Sequence, residues 1–267
     1  MNPHASRVSE AMIAGAESRL RPVETLRTER GGHATELAAA AAGDEVWVLG
    51  GDGVVNEVLN GLRPDVSLGV IPAGATNVLA RALGSGEHRI SVGRVNGRRF
   101  SFAAGIGVDS EVVREMETEK RAHSGHRPSN VAYARAVARR LLGGYEPRLE
   151  LVGMGRAAIV FVSNSPVFTF AGPVPLRFAP AARFDLGLDV VAPERVSGAS
   201  LARLLPRLAV GRGLAGGRGV LSGHDLDRVE VRGDVPLPLE ADGEDLGDVT
   251  EAIFEAERDA VTVLVQP

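Results

Sequence analysis

Glu45–Leu62, EVWVLGGDGVVNEVLNGL, constrains the fold of this chain more than any other stretch. Val46-Trp47-Val48-Leu49 is a short apolar, β-favouring run of the kind a buried parallel strand shows. Gly50-Gly51-Asp52-Gly53 breaks that run. Val54, Val55, Val58, Leu59 and Leu62 then recur at helical spacing, and Gly61 with Pro64 beyond it marks the helix end. A strand that turns on glycine into a helix is one unit of a layered α/β fold.

Such a turn is also an anion site. Glycine lets the backbone come close to a ligand. The first helical amides and the positive end of the dipole then point at it. Asp52 would repel a bare phosphate, but it suits a phosphate carrying Mg²⁺, or a hydroxyl between the two. The turn therefore suggests a nucleoside triphosphate with its metal. The plainer alternative is a glycine turn that only connects strand to helix.

Composition narrows the chemistry. No cysteine is present, so disulfides, thiolate metal sites and cysteine nucleophiles are excluded. Lys120 is the sole lysine, so the Walker A lysine and its GxxxxGK[ST] pattern are absent. Phosphate charge must be met by amides, arginine or metal. The net charge of −4 argues against bulk nucleic-acid binding, and no nucleic-acid partner is expected. No apolar run approaches about 18 residues, and the N-terminus is polar, so a cytoplasmic protein is expected.

Taken in order, Arg7–Leu20 reads as a helix, Val23–Arg27 as a short strand and Ala34–Ala42 as a helix. After the central unit come a strand, Val66–Ile71, a second turn, Pro72–Asn77, and a helical turn, Val78–Leu83. Alternating strands and helices predict a parallel sheet. Both turns should lie at its carboxyl edge, where such sheets bind ligands. After residue 90 the pattern becomes short strands: Ile90–Val95, Arg99–Ala103, Leu149–Val152, Ala157–Ser163, Leu188–Val191, Arg228–Arg232, Leu237–Glu240 and Ala260–Val265. With hairpin signals such as Asn96-Gly97, these predict an antiparallel sandwich. Helices are expected at Ser110–Lys120, Val131–Leu142 and Leu201–Val210. The fold class is thus α/β, with a parallel layered domain over 1–89 and a β-rich domain over 90–267. The last strand is a candidate for return to the first domain.

The chain resembles the diacylglycerol kinase-like lipid kinases, the family shared with sphingosine and ceramide kinases. The resemblance rests on Asn2-Pro3, on Thr28 with Gly32-His33-Ala34, on GGDGVVNEVLNGL and on GVIPAGATNVLARALG. It continues through AAGIGVDSEV (Ala103–Val112), ARFDLGLDVV (Ala182–Val191) and ADGE (Ala241–Glu244). It implies two domains with a cleft between them, ATP and Mg²⁺ on the first, and a lipid hydroxyl approaching over the second. By position, it implies nucleotide contacts at Asn2, Pro3, Ser6, Thr28, Gly50, Gly51, Asp52, Gly53, Val54, Asn56, Gly74, Ala75, Thr76 and Asn77. Asp52 would orient the metal of ATP, and Glu244 would be the general base. Without the family, Glu244 reads as one more solvated acid in the run Glu240–Asp248. A lipid substrate implies peripheral contact with the inner membrane face, and the arginines of Val131–Leu142 and Leu201–Arg218 could meet anionic headgroups.

The chain departs from the family at several positions. Val54 and Ala75 stand where the family usually has threonine, and Val78 stands where an acid often follows the asparagine. Leu186 replaces the second aspartate of a DDG motif that holds a structural Mg²⁺ in some relatives. Asp185 and Asp189 remain near, with Asp185 the candidate ligand for that metal. A hydrophobic strand expected ahead of Asn2-Pro3 is missing, so the sheet should lack a member. His123 and His126 flank a glycine with no third ligand in view. Two rival readings follow: a soluble-acceptor kinase of the NAD kinase type, expected to differ in its second domain, and a nucleotide- or lipid-binding homologue without activity.

Overall fold

The computed structural model describes residues 8–107 and 144–266. Asn2, Pro3 and Ser6, the helices expected at Ser110–Lys120 and Val131–Leu142, and His123 and His126 lie outside these residues.

The first part is layered α/β. Helix α1 (Glu10–Leu20) starts at Ser9, whose hydroxyl accepts the Met12 amide. Its inner residues Ile13 and Ala16 pack against Leu49, Ile71 and Ala73. Val23–Arg27, expected as a strand, is irregular; Val23 is fully exposed, so its apolar side chain brings the segment no packing. Helix α2 (His33–Ala40) lies against α3 (Asp52–Gly61), with Ala34 N donating to Glu57 and Thr35 Oγ1 to the Glu57 carbonyl. Gly61 also serves this packing, because a Cβ there would sit 2.1 Å from the Thr35 carbonyl oxygen. Strands β1 (Glu45–Gly50) and β2 (Ser67–Pro72) run parallel, in register from Glu45 opposite Ser67 to Gly50 opposite Pro72. Helix α4 (Val78–Leu83) follows β2.

From β3 (Gly86–Val95) onward the strands pair with one another antiparallel. The strands are β4 (Arg98–Phe100), β5 (Ala103–Ile106), β6 (Leu149–Leu151), β7 (Gly155–Ala157), β8 (Val160–Ser163), β9 (Thr169–Ala171), β10 (Val174–Leu176) and β11 (Leu188–Pro193). Helix α5 (Gly198–Ala209) and strands β12 (Val220–Leu226), β13 (Arg228–Ala241) and β14 (Glu244–Val265) complete the chain. The main path of the large sheet is β1-β2-β14-β13-β5-β8-β11-β12.

Two expected strands, Arg228–Arg232 and Leu237–Glu240, are one strand, β13, with a register shift between Arg232 and Leu237. Likewise Ala260–Val265 is only the end of β14, which runs 22 residues. That strand pairs with β13, then with β3, and its last residues Val263–Val265 lie parallel to Leu68–Val70 of β2. Alternation hid its length, since charged Glu251, Glu255 and Glu257 interrupt the apolar Ala252, Phe254 and Val261. Inside, Phe100 meets Phe254 edge to face at 6.5 Å, beneath a core that draws on β5, β6, β8, β11, β13 and β14.

An ion-pair node sits where β3, β4 and β14 meet. Glu257 accepts from Arg99 at 2.7 Å and also pairs with Arg94. Burial works to raise the Glu257 pKa, and the two arginines outweigh it, so the group ends below its ordinary 4.5. A carboxyl depressed on folding contributes stability above its unfolded pKa and loses it as pH falls through its folded one. Urea unfolding should therefore show stability declining below about pH 4.5, and Glu257→Gln should shrink that decline. An unchanged acid profile in the variant would assign the decline to other carboxyls.

Candidate active site

The two turns that follow β1 and β2 meet back to back. Ala73 N donates to Gly50 O at 2.8 Å. A Cβ on Gly74 would lie 2.5 Å from Gly51 Cα, so the backbones approach as only two glycines allow. Asn77, in the left-handed region at φ 51°, closes the second turn with its own amide. Its Oδ1 accepts from Gly74 N at 2.8 Å, and its Nδ2 donates to Gly74 O at 3.0 Å. Asp52, the first residue of α3, reaches across and accepts from Leu79 N in α4 at 3.4 Å. Gly51 caps α3 with no side-chain bond to its first amides. Gly53 and Ala75 are exposed at the lip of this corner, and Val54 and Thr76 are half-buried.

One face of α3 carries the corner inward. Asn56 is 1% exposed and its amide is saturated. Its Nδ2 donates to Asp242 at 2.8 Å and to Arg99 O at 3.1 Å. Its Oδ1 accepts from Arg98 Nη2 at 3.1 Å and from Asn60 Nδ2 at 3.2 Å. Asn56, expected as a nucleotide contact, here ties the glycine helix to the second part of the chain, as buried polar groups find partners. Asn60, one turn further on, exchanges hydrogen bonds with the Arg99 backbone.

Glu244 belongs to the same network. Arg98 Nη2 donates to both the Glu244 carboxylate and Asn56 Oδ1. The Glu244 side chain is 44% exposed, open enough to meet a substrate. It opens β14 directly after the two-residue turn Asp242-Gly243, both at positive φ, with Ala241 opposite Glu244. That turn chemistry matches the Asp-Gly preference of tight hairpins.

Asp242 is the largest departure from expectation. Glu240 and Asp242 fall in a run that reads as solvated loop acid, yet they are 2% and 7% exposed. Asp242 accepts Ser101 N at 2.6 Å, Ser101 Oγ at 2.8 Å, Phe102 N at 3.0 Å and Ala103 N at 3.2 Å, besides Asn56. Burial pushes its carboxyl pKa up while these donors pull it back. Asp242 thus pins the β4–β5 bend and α3 to the hairpin that presents Glu244. The Asp-Gly pair between alternating strands was the signal that could have marked it. Arg98 carried no signal, being one arginine among several in Arg94–Arg99.

The other expected positions divide. Thr28 is buried at 8% exposure. Asp185 accepts from Nε and Nη2 of Arg183, each at 2.8 Å. Asp189 faces His224 Nδ1 at 2.8 Å and the Asp225 amide at 3.2 Å, and Asp225 pairs with Arg258. Among the described residues no three His, Asp or Glu side chains converge as a metal cluster. Asp185, the candidate ligand of a structural metal, is paired here with Arg183.

Both parts of the chain match known families. Residues 1–97 match the family described as diacylglycerol kinase catalytic domain, and 103–265 the one described as YegS C-terminal NAD kinase beta sandwich-like domain. The second description carries a likeness to NAD kinase, so the second domain does not separate the two kinase readings as expected. A protein named diacylglycerol kinase from Bacillus subtilis is 38% identical over 111 residues, 35% of this chain and 37% of the relative's length. Sphingoid long-chain bases kinase 1 from Arabidopsis thaliana is 38% identical over 69 residues, 21% of this chain and 9% of that one. A crystal structure titled as a diacylglycerol kinase from Bacillus anthracis str. Sterne superposes with a TM-score of 0.69 at 19% identity, covering 100% of this chain and 95% of that one. At that identity it speaks for the fold. No helix among the described residues is long and apolar enough to cross a membrane.

Proposed function

Because the chain belongs to the diacylglycerol kinase-like lipid kinase family, we propose that it transfers the γ-phosphoryl group of ATP to a hydroxyl of diacylglycerol or a similar neutral lipid. The amides of the Gly50–Gly53 turn, with the Gly74–Asn77 turn beside them, would hold the phosphates, and Asp52 would hold the metal that comes with them. Mg²⁺ bound with ATP neutralises the phosphate oxygens. Glu244 accepts the proton of the lipid hydroxyl as its oxygen bonds to phosphorus and the bond to ADP breaks. Arg98 keeps Glu244 aimed. One observation carries this reading: Asn56 and Arg98 form a continuous hydrogen-bonded bridge from the glycine helix to Glu244. That link supports reading the two features, far apart in sequence, as parts of one site.

The reading is tested with radiolabelled ATP and mixed neutral lipids in detergent, separated by thin-layer chromatography. Wild type should label one lipid class. Glu244→Gln should lower kcat by about 10²–10⁴, the usual contribution of a positioned base. Arg98→Met should lower kcat by roughly tenfold with little change in the KM for ATP, because it disturbs aim and leaves nucleotide binding intact. Equal labelling by Glu244→Gln would remove that residue from the chemistry. Phosphorylation of NAD without lipid would favour the soluble-acceptor kinase, and Mg·ATP binding with no turnover would favour the binding homologue.

A further inference from the structure

Helix α5 is apolar on two faces. Leu201, Leu204 and Leu208 pack inward against a cluster containing Phe161, Phe178 and Leu214. Ala202, Leu205, Pro206 and Ala209 recur at the i, i+3, i+4, i+7 spacing on the other side and are all exposed. Leu205 is 53% and Val210 69% exposed. A surface helix ordinarily turns polar side chains outward. Here the outward stripe is apolar.

Charge is segregated at the same place. The chain carries a net charge of −4, yet residues 195–224 contain five arginines and no aspartate or glutamate. Arg195 pairs with Glu146, and Arg207 turns back to cap the Gly213 and Ala215 carbonyls. Arg203, Arg212 and Arg218 are exposed, and among the described residues no carboxylate pairs with them. Exposed apolar side chains rimmed by unneutralised arginine match one surface chemistry, an apolar layer under anionic headgroups. An acidic protein that tolerates such a strip has placed its positive charge where the partner is negative.

We propose that the outer face of α5 and the turn after it dock on an anionic bilayer. Leu205 and Val210 enter the interfacial layer, and Arg203 and Arg212 meet lipid phosphates. Capping box Ser197–Ser200 fixes the start of the helix, so the strip is presented by an ordered element. Its use in delivering the site to a lipid substrate rests on the kinase reading; its chemistry does not.

The experiment is vesicle sedimentation of the full chain without nucleotide. Wild type should bind vesicles carrying about one-third phosphatidylglycerol and leave pure phosphatidylcholine vesicles unbound, with binding falling steeply as salt rises. Arg203→Ser with Arg212→Ser should lower partition about 25-fold, roughly fivefold for each arginine. Leu205→Ser with Val210→Ser should lower it at least tenfold. Both pairs should leave labelling of detergent-dispersed lipid unchanged. Equal binding to the two vesicle types, or unchanged partition in both variants, overturns the proposal. So does a concentration-dependent dimer dissolved by Leu205→Ser, which would assign the face to a second copy. The lipid and salt arms use wild type alone, so they decide the matter even if a variant misfolds. Vesicle binding needs no turnover, so loss of the kinase reading would leave this result standing.

Discussion

Asp242→Ala should destabilise the chain by about 3–5 kcal/mol, a large share of the 5–15 kcal/mol that holds most folds together. The cause is the set of donors it would strand. Three backbone amides of Ser101–Ala103, the Ser101 hydroxyl and the Asn56 amide all converge on this one carboxylate. Each buried donor left without an acceptor costs roughly 1–3 kcal/mol unless water enters. Asp242→Asn should recover part of the loss, because its single oxygen still accepts while its NH₂ group faces donors. Asp65→Ala, at an exposed ion pair, is the control and should change stability by no more than about 0.5 kcal/mol. Urea denaturation measures all three. A loss below about 1 kcal/mol for Asp242→Ala would mean that the bend relaxes and rehydrates its donors.

Gly74→Ala should abolish nucleotide use while the protein stays folded. The new methyl group would meet Gly51 Cα at 2.5 Å and Asn77 Oδ1 at 2.7 Å. The first contact is backbone and cannot rotate aside, so the two corners must separate. A displacement of about 1 Å at a phosphate cradle is enough to lower kcat/KM by a factor of 10² or more. Stability should fall by only about 1–3 kcal/mol, as for other overpacked sites. Gly53→Ala is the companion. A methyl group there meets nothing within 4 Å in the free protein, so it should fold normally and report only on how closely a ligand approaches. Calorimetry with Mg·ATP separates the outcomes. Wild-type affinity in Gly74→Ala would show that the touching corners are not the nucleotide cradle.

Much of this was legible in the sequence because the first part builds its site from neighbours in the chain. Strand β1, the Gly50–Gly53 turn and α3 are contiguous, and glycine, apolar spacing and Asp52 report on one another. The second turn is readable for the same reason. The hub is different. Asn56, Arg98, Asp242 and Glu244 come from three elements, and their shared hydrogen bonds leave no period or spacing. Asp242 looked solvated because charged residues surround it in sequence. In space it faces the backbone of Ser101–Ala103 instead. The length of β14 was concealed in a similar way, by charges that alternate with buried side chains along a strand exposed on one side.

That strand decides how the two parts of the chain are joined. β14 begins at Glu244 and ends beside β2, the strand that carries the second glycine corner. A fragment stopping at residue 97 would lack the strand that β2 and β3 both pair with, so the first part does not hold all the strands of its own sheet. β13 and β3 both pair along β14, so one continuous strand ties the hairpin that presents Glu244 to the sheet that carries the second glycine corner.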